Sequence, residues 1–160
     1  MYDFHPSPGA SKTQHYDELV AAADALTAGE SDGVANMANV AALLSGWLHS
    51  LNWAGFYRRQ GDVLVLGPFV GRPACIRIPI GQGVCGTAAA QAGTQIVPDV
   101  HAFPGHIACD GDTRSELVVP VMRGGEVIAV IDLDSPLPAR FDDEDAGGVE
   151  RLAALLSERI

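Results

Sequence analysis

The chain has 160 residues, 48% of them apolar, and a formal charge of −10, which suits one domain with a core that needs no disulfide staples. That charge, with Lys12 as the single lysine, argues against a nucleic-acid partner, because phosphate binding draws on clustered Lys and Arg. No apolar run reaches the roughly 18 residues of a membrane span, and MYDFHPSPGA lacks the basic and apolar regions of a signal peptide, so a soluble, cytoplasmic protein without a membrane partner is expected.

Residues 1–11 carry Pro, Gly and Ser without periodicity and read as an N-terminal arm of the single domain 1–160. From Tyr16 to Ala28, Leu19, Val20, Ala23 and Leu26 recur at helical spacing, and Gly29 supplies a stop. Ser31 or Asp32 can cap a second helix, whose apolar face is Val34, Met37, Val40, Ala41, Leu44 and Leu48, running to about His49. The period then changes. LNWAGFYRR and VLVLGPF, joined at Gln60-Gly61-Asp62, read as a β-hairpin. ACIRIPI alternates Ile76, Ile78 and Ile80 as a further strand, VCGTAAAQAG reads as a short helix stopped at Gly93, and TQIVPDV as a short strand.

The stretch from His101 to Arg114 has no period and contains Pro104, Gly105 and Gly111; such a long irregular segment in a compact domain is usually functional. SELVVPVMR and EVIAVIDLD flank Gly124-Gly125 as a clear hairpin, and Asp142 to Ile160 reads as a closing helix with Val149, Leu152, Leu155 and Leu156 buried. The expected class is α+β: a mostly antiparallel central sheet with N- and C-terminal helices on one face and a ligand pocket, roofed by the irregular segment, on the other.

The chemistry concentrates between Pro73 and Asp134. Three cysteines, Cys75, Cys85 and Cys109, cannot all pair within one chain, and their separations of ten and twenty-four residues are not those of a zinc ribbon or finger. Thiol redox or nucleophilic chemistry therefore leads, and neither a metal nor an organic cofactor is expected. Cys85 lies at the start of the short helix, where a helix N-terminus lowers a thiol pKa, although a small residue among glycines and alanines also suits tight packing. Asp132 and Asp134, two apart on a strand, share one face while Ile131 and Leu133 take the other. In so apolar a strand that face reads as a polar pocket, where crowded carboxylates raise at least one pKa. Trp53 reads as a core aromatic on sequence grounds alone. Tyr57 falls on the same strand face, and His106 reads as part of the loop or a substrate contact, with no oxyanion motif to make it an acyl-transfer partner of Cys109.

The strings GPFVGRPACIRIPIGQGVCGTAA, VPDVHAFPGHIACD, SELVVPV and IDLDS resemble the free methionine-(R)-sulfoxide reductases, enzymes of the GAF fold, over about Trp53 to Phe141. The resemblance implies thioredoxin-dependent reduction of free methionine R-sulfoxide, a form of oxidative-stress repair. It implies Cys109 as the nucleophile, Cys75 as the thiol that resolves its sulfenic acid as a disulfide, and a secondary role for Cys85. It assigns Glu116, Asp132 and Asp134 to substrate binding and proton supply, and places Trp53 at the methyl-sulfoxide pocket, with Tyr57 beside it. A helix-mediated homodimer, common among GAF domains, is the assembly it allows. The alternative is a non-catalytic GAF module that binds a small ligand or senses redox state through Cys109.

Overall fold

The computed structural model describes residues 4–107 and 110–160. The first helix, α1 (Lys12–Thr27), begins a turn before the apolar spacing does, because Ser11 and Gln14 form a reciprocal capping box ahead of a polar first turn. The described part of the arm, residues 4–11, is docked: Phe4 packs against the core, and the Ser7 N–H donates to Glu18 Oε2 at 2.8 Å. In α2 (Gly33–Trp47) the Asp32 carboxylate accepts from the N–H groups of Val34 and Ala35. Val34, expected on the apolar face, is 51% exposed. The buried place near the helix start goes instead to Asn36, whose Nδ2 donates to the carbonyls of Arg159 and Glu30. The helix ends at Trp47, short of His49.

The sheet has six strands: β1 (Trp53–Gln60), β2 (Val63–Gly71), β3 (Arg77–Pro79), β4 (Gln95–Val97), β5 (Ser115–Arg123) and β6 (Glu126–Ser135). They lie in the order β3-β2-β1-β6-β5-β4, every neighbouring pair antiparallel. The strand expected through ACIRIPI is only three residues long: Ile78 is buried, but the ladder stops at Arg77, and Ile76 beyond it turns to solvent at 69% exposure. Helix α3 (Gly83–Gln91) follows β3 and ends at Ala92 in a left-handed cap, one residue before Gly93. A single 3-10 turn, Val100–Ala102, opens the irregular segment.

Period-2 alternation divides the sheet's side chains between two apolar clusters. Phe56, Leu117, Val119, Val121, Ile131 and Leu133 face α1, α2 and the closing helix α4 (Asp143–Leu156). Trp53, Tyr57, Val118 and Val130 face the other way, against Val84, Ala88 and Ala89 of α3. Each fully buried large side chain contributes about 1.5–3 kcal/mol, so the helical layer with its longer apolar roll is the stabilising half. Asp145 ties that layer together: with no exposure it accepts from Tyr16 Oη at 2.8 Å, Lys12 Nζ at 2.7 Å and Arg140 Nη1 at 3.3 Å. Among the described residues no helix is long and apolar enough to cross a membrane.

On the opposite face α3 sits very close to β3. A Cβ on Gly86 would lie 2.4 Å from the Pro79 carbonyl oxygen, so this contact requires glycine. Gly86→Ala should therefore cost on the order of 2 kcal/mol or more in chemical denaturation. Gly46→Ala, on the exposed side of α2 with nothing within 4 Å, should instead stabilise by about 0.5–1 kcal/mol.

Candidate functional site

One cavity on the α3 side of the sheet collects most of the residues singled out above. Its lining includes Trp53, Tyr57, Cys85, Glu116, Asp132 and Asp134, together with His106, Ile107, Asp110 and Arg72. The sheet register explains the convergence. Asp134 stands opposite Trp53 on β1 and opposite Glu116 on β5, while Asp132 stands opposite Gly55 and Val118. Strand alternation thus sets the three carboxylates and two aromatic rings on one face, while Ile131 and Leu133 anchor the same strand in the helical layer.

The aromatic wall is ordered by stacking and by its polar tips. Trp53 stacks on Phe69 at 5.2 Å and on Tyr57 at 5.9 Å between centroids. Gly55 makes room for this: a Cβ there would meet Phe69 Cβ at 2.4 Å. Trp53 Nε1 donates to the Arg72 carbonyl and Tyr57 Oη to the Cys75 carbonyl at 3.0 Å. Burial, followed by the nearby Asp132 carboxylate, pushes the Tyr57 hydroxyl well up, so it stays protonated and remains a donor.

The acidic floor has no lysine or arginine partner among the described residues. Glu116 and Asp132 are each 6% exposed. Burial, and then repulsion from Asp132 and Asp134, drives Glu116 well above the usual carboxylate range. Asp132 is pushed up to about 6 by burial, against opposing hydrogen bonds from Cys85 and Glu116. Asp134, partly open to the cavity, is also driven up, first by burial and then by Asp132. Three acids so placed cannot all ionise at neutral pH, and a shared proton is the cheapest arrangement.

Cys85 lies directly behind them, its Sγ 4.0 Å from Glu116 Oε1. The expected lowering by the α3 N-terminus is overridden. Complete burial, and after it the charges of Asp132 and Glu116, push this thiol upward, so it is a neutral S–H aimed at carboxylates rather than a thiolate. Cys75 packs at the edge of the second apolar cluster, next to the lining residues Pro73 and Ala74. Cys109 lies outside the described residues. Its chain neighbour Asp110 is anchored by Arg72 Nη1 at 3.1 Å, Asn52 Nδ2 at 3.1 Å and the Asp112 N–H at 3.0 Å, and that N–H bond is the main reason its carboxyl sits below the usual range.

Two contributors, one of them the His106 already read as a loop residue or substrate contact, act through partners that sequence spacing conceals. His106 places Nε2 3.9 Å from Glu116 Oε2, and burial lowers its pKa, so it meets the acid as a neutral imidazole. Asn52 links Asp110 to Thr113, its Nδ2 reaching Thr113 Oγ1 at 3.0 Å, and thereby tethers the irregular segment at the start of β1.

The acids also set a pH dependence. Their folded pKa values lie above the roughly 4 of an unfolded carboxyl, so the folded chain holds protons the unfolded chain has released. The stability associated with these protons is fully present below about pH 4 and is lost as pH rises through the folded values, about 6 for Asp132. Asp132→Asn and Glu116→Gln should therefore stabilise the protein at pH 8 by on the order of 1–3 kcal/mol and shrink the wild-type loss between pH 5 and 8. Thermal melts across that range check this; variants less stable than wild type at pH 8 would contradict it.

Known proteins share both the chain and the site-bearing fold. The GAF domain family matches residues 32–160. A free methionine-R-sulfoxide reductase from Escherichia coli strain K12 is 49% identical over 92% of this chain and 90% of its own. Another of that name, from Saccharomyces cerevisiae, is 42% identical over 95% and 89%. The X-ray structure of free methionine-R-sulfoxide reductase from Neisseria meningitidis in complex with its substrate superposes with a TM-score of 0.94 at 45% identity, covering 99% of this chain and 95% of that one. With near-complete coverage on both sides, this chain belongs to the GAF domain family and, within it, to the free methionine-R-sulfoxide reductases.

Proposed function

We propose that this protein reduces free methionine R-sulfoxide to methionine, using its own thiols as the immediate reductant and thioredoxin as their electron source. The observation that carries the reading is the convergence of an aromatic wall, Trp53 and Tyr57, with a buried acidic floor, Glu116, Asp132 and Asp134, in one cavity bordered by the segment that bears Cys109. An aromatic wall suits the methyl-sulfoxide end of the substrate; carboxyls suit its ammonium and supply a proton to its oxygen.

The reaction balances with two thiols. Cys109 attacks the sulfoxide sulfur, a carboxyl of the floor protonates the oxygen, and oxygen transfer leaves methionine and a cysteine sulfenic acid. Cys75 then displaces that oxygen as water, forming a Cys109–Cys75 disulfide. Exchange with a dithiol of the thioredoxin type restores both thiols, a cycle suited to the reducing cytoplasm. Cys85 takes no electrons in this scheme: as a neutral donor it holds Glu116 and Asp132 in place.

Selection for the free amino acid follows from enclosure. The cavity measures about 40 Å³, room for a few waters against the roughly 300 Å³ or more of a typical ligand pocket. Ile107 closes over Gly83, where a Cβ would meet its Cδ1 at 3.2 Å. Substrate entry therefore requires His106 and Ile107 to withdraw and re-cover it, a closure that a methionine within a chain would obstruct.

Turnover of methionine R-sulfoxide with thioredoxin, its reductase and NADPH provides the test. Wild type should turn over, Cys109→Ser should be inert, and Cys75→Ser should stop after one turnover with methionine released. Asp132→Asn and Glu116→Gln should lower kcat/KM by about 10²–10⁴, and N-acetylated substrate should be poor. A wild-type protein that binds a small ligand but never turns over the sulfoxide would instead make the domain a sensor.

A further inference from the structure

We propose that the floor of the cavity is also a binding site for a zinc-class divalent cation, formed by Cys85, Glu116 and Asp132 with His106 closing from the roof, and that its occupation excludes the substrate. One donor atom each from Cys85, Glu116 and Asp132 lies within 4.8 Å of the others, and all three residues are buried. The thiol sulfur stands 4.0 Å from Glu116 Oε1, and His106 Nε2 stands 3.9 Å from Glu116 Oε2. A tetrahedral zinc with ordinary bond lengths sets sulfur and oxygen ligands about 3.6 Å apart, so the three-donor cluster needs only a small contraction to close on an ion, while His106, outside that group, would have to swing in to complete the set.

Asp132 gives the independent sign. Its residue is 6% exposed, yet Oδ1 has no hydrogen-bond partner among the described residues. An acceptor orphaned at that depth is costly, and in a cluster without lysine or arginine a cation is the group that best satisfies it. One sulfur, one imidazole nitrogen and two carboxylates favour zinc over magnesium or calcium, which take oxygen ligands. Binding would release the thiol proton and any proton shared by the acids. The spacings of the three cysteines in sequence gave no such expectation, because the ligands come from α3, β5, β6 and the irregular segment.

Cation binding stands by itself; competition with substrate rests on the function proposed above. The test uses the full-length Cys75→Ser/Cys109→Ser protein, in which Cys85 is the remaining cysteine, titrated with zinc chloride by calorimetry and followed by thermal shift. One equivalent of zinc should bind and raise Tm. Adding Cys85→Ser, or separately Asp132→Asn, should weaken binding by about tenfold or more, with circular dichroism confirming that each variant is folded. Absence of binding, or binding indifferent to both changes, overturns the cation site. Excess free methionine should weaken apparent zinc affinity beyond the effect of an equal concentration of glycine, which chelates zinc in solution in the same way. Should Cys85-dependent binding persist unaltered by methionine, the competition fails while the cation site stands.

Discussion

Three carboxyl groups on one sheet face, buried or half-buried with no lysine or arginine among the described residues to offset them, are the constraint on which the rest of the molecule turns. Glu116, Asp132 and Asp134 destabilise the folded state whenever pH would ionise them. Asp145 shows the contrast within the same chain: it is buried more completely still, but Lys12 and Arg140 stand beside it, and it serves to join helices. The difference between a structural and a chemical acid here is the presence or absence of a cation.

The fold supports that cost by separating its two faces. Ile131 and Leu133 belong to the helical core, while Asp132 and Asp134, alternating with them on β6, face the cavity. The strand that carries the strained groups is thus one of the most firmly held, paired on one side with β1 and on the other with β5. Across the cavity the glycines at 55 and 86 let Phe69 and β3 approach closely, which brings Trp53 and Cys85 up to the acids. Preorganisation of this kind keeps the acids and the aromatic wall in fixed relation, with His106 and Ile107 lining the same cavity.

Much of this was legible in sequence, and the parts that were not share physical causes. The alternation in VIAVIDLD disclosed the shared face of Asp132 and Asp134, and Gly124-Gly125 disclosed the hairpin that holds it. The expectation that Glu116 joins these acids came from family resemblance, because only the β5–β6 register sets it opposite Asp134. Alternation misled at Ile76, where the edge ladder ends too soon for the pattern to matter, and helical spacing misled at Val34, whose place Asn36 takes for the sake of backbone carbonyls at the far end of the chain. The start of α1 was written in Ser11 and Gln14 rather than in apolar spacing. For Cys85 the helix-terminus argument was correct in kind but too small: desolvation and two carboxylates outweigh it. His106 and Asn52 act through partners that sequence distance conceals.

The central claim is that the cavity keeps a carboxylic acid protonated at neutral pH. Infrared spectroscopy of the protein in heavy water at pH 7 tests it most directly, since a protonated carboxyl has a carbonyl stretch that carboxylates lack. The account predicts such a band in the wild-type protein, decreasing as pH rises and weakened in Glu116→Gln and Asp132→Asn. A wild-type spectrum with no protonated carboxyl at pH 7, from a protein that remains folded, would contradict it.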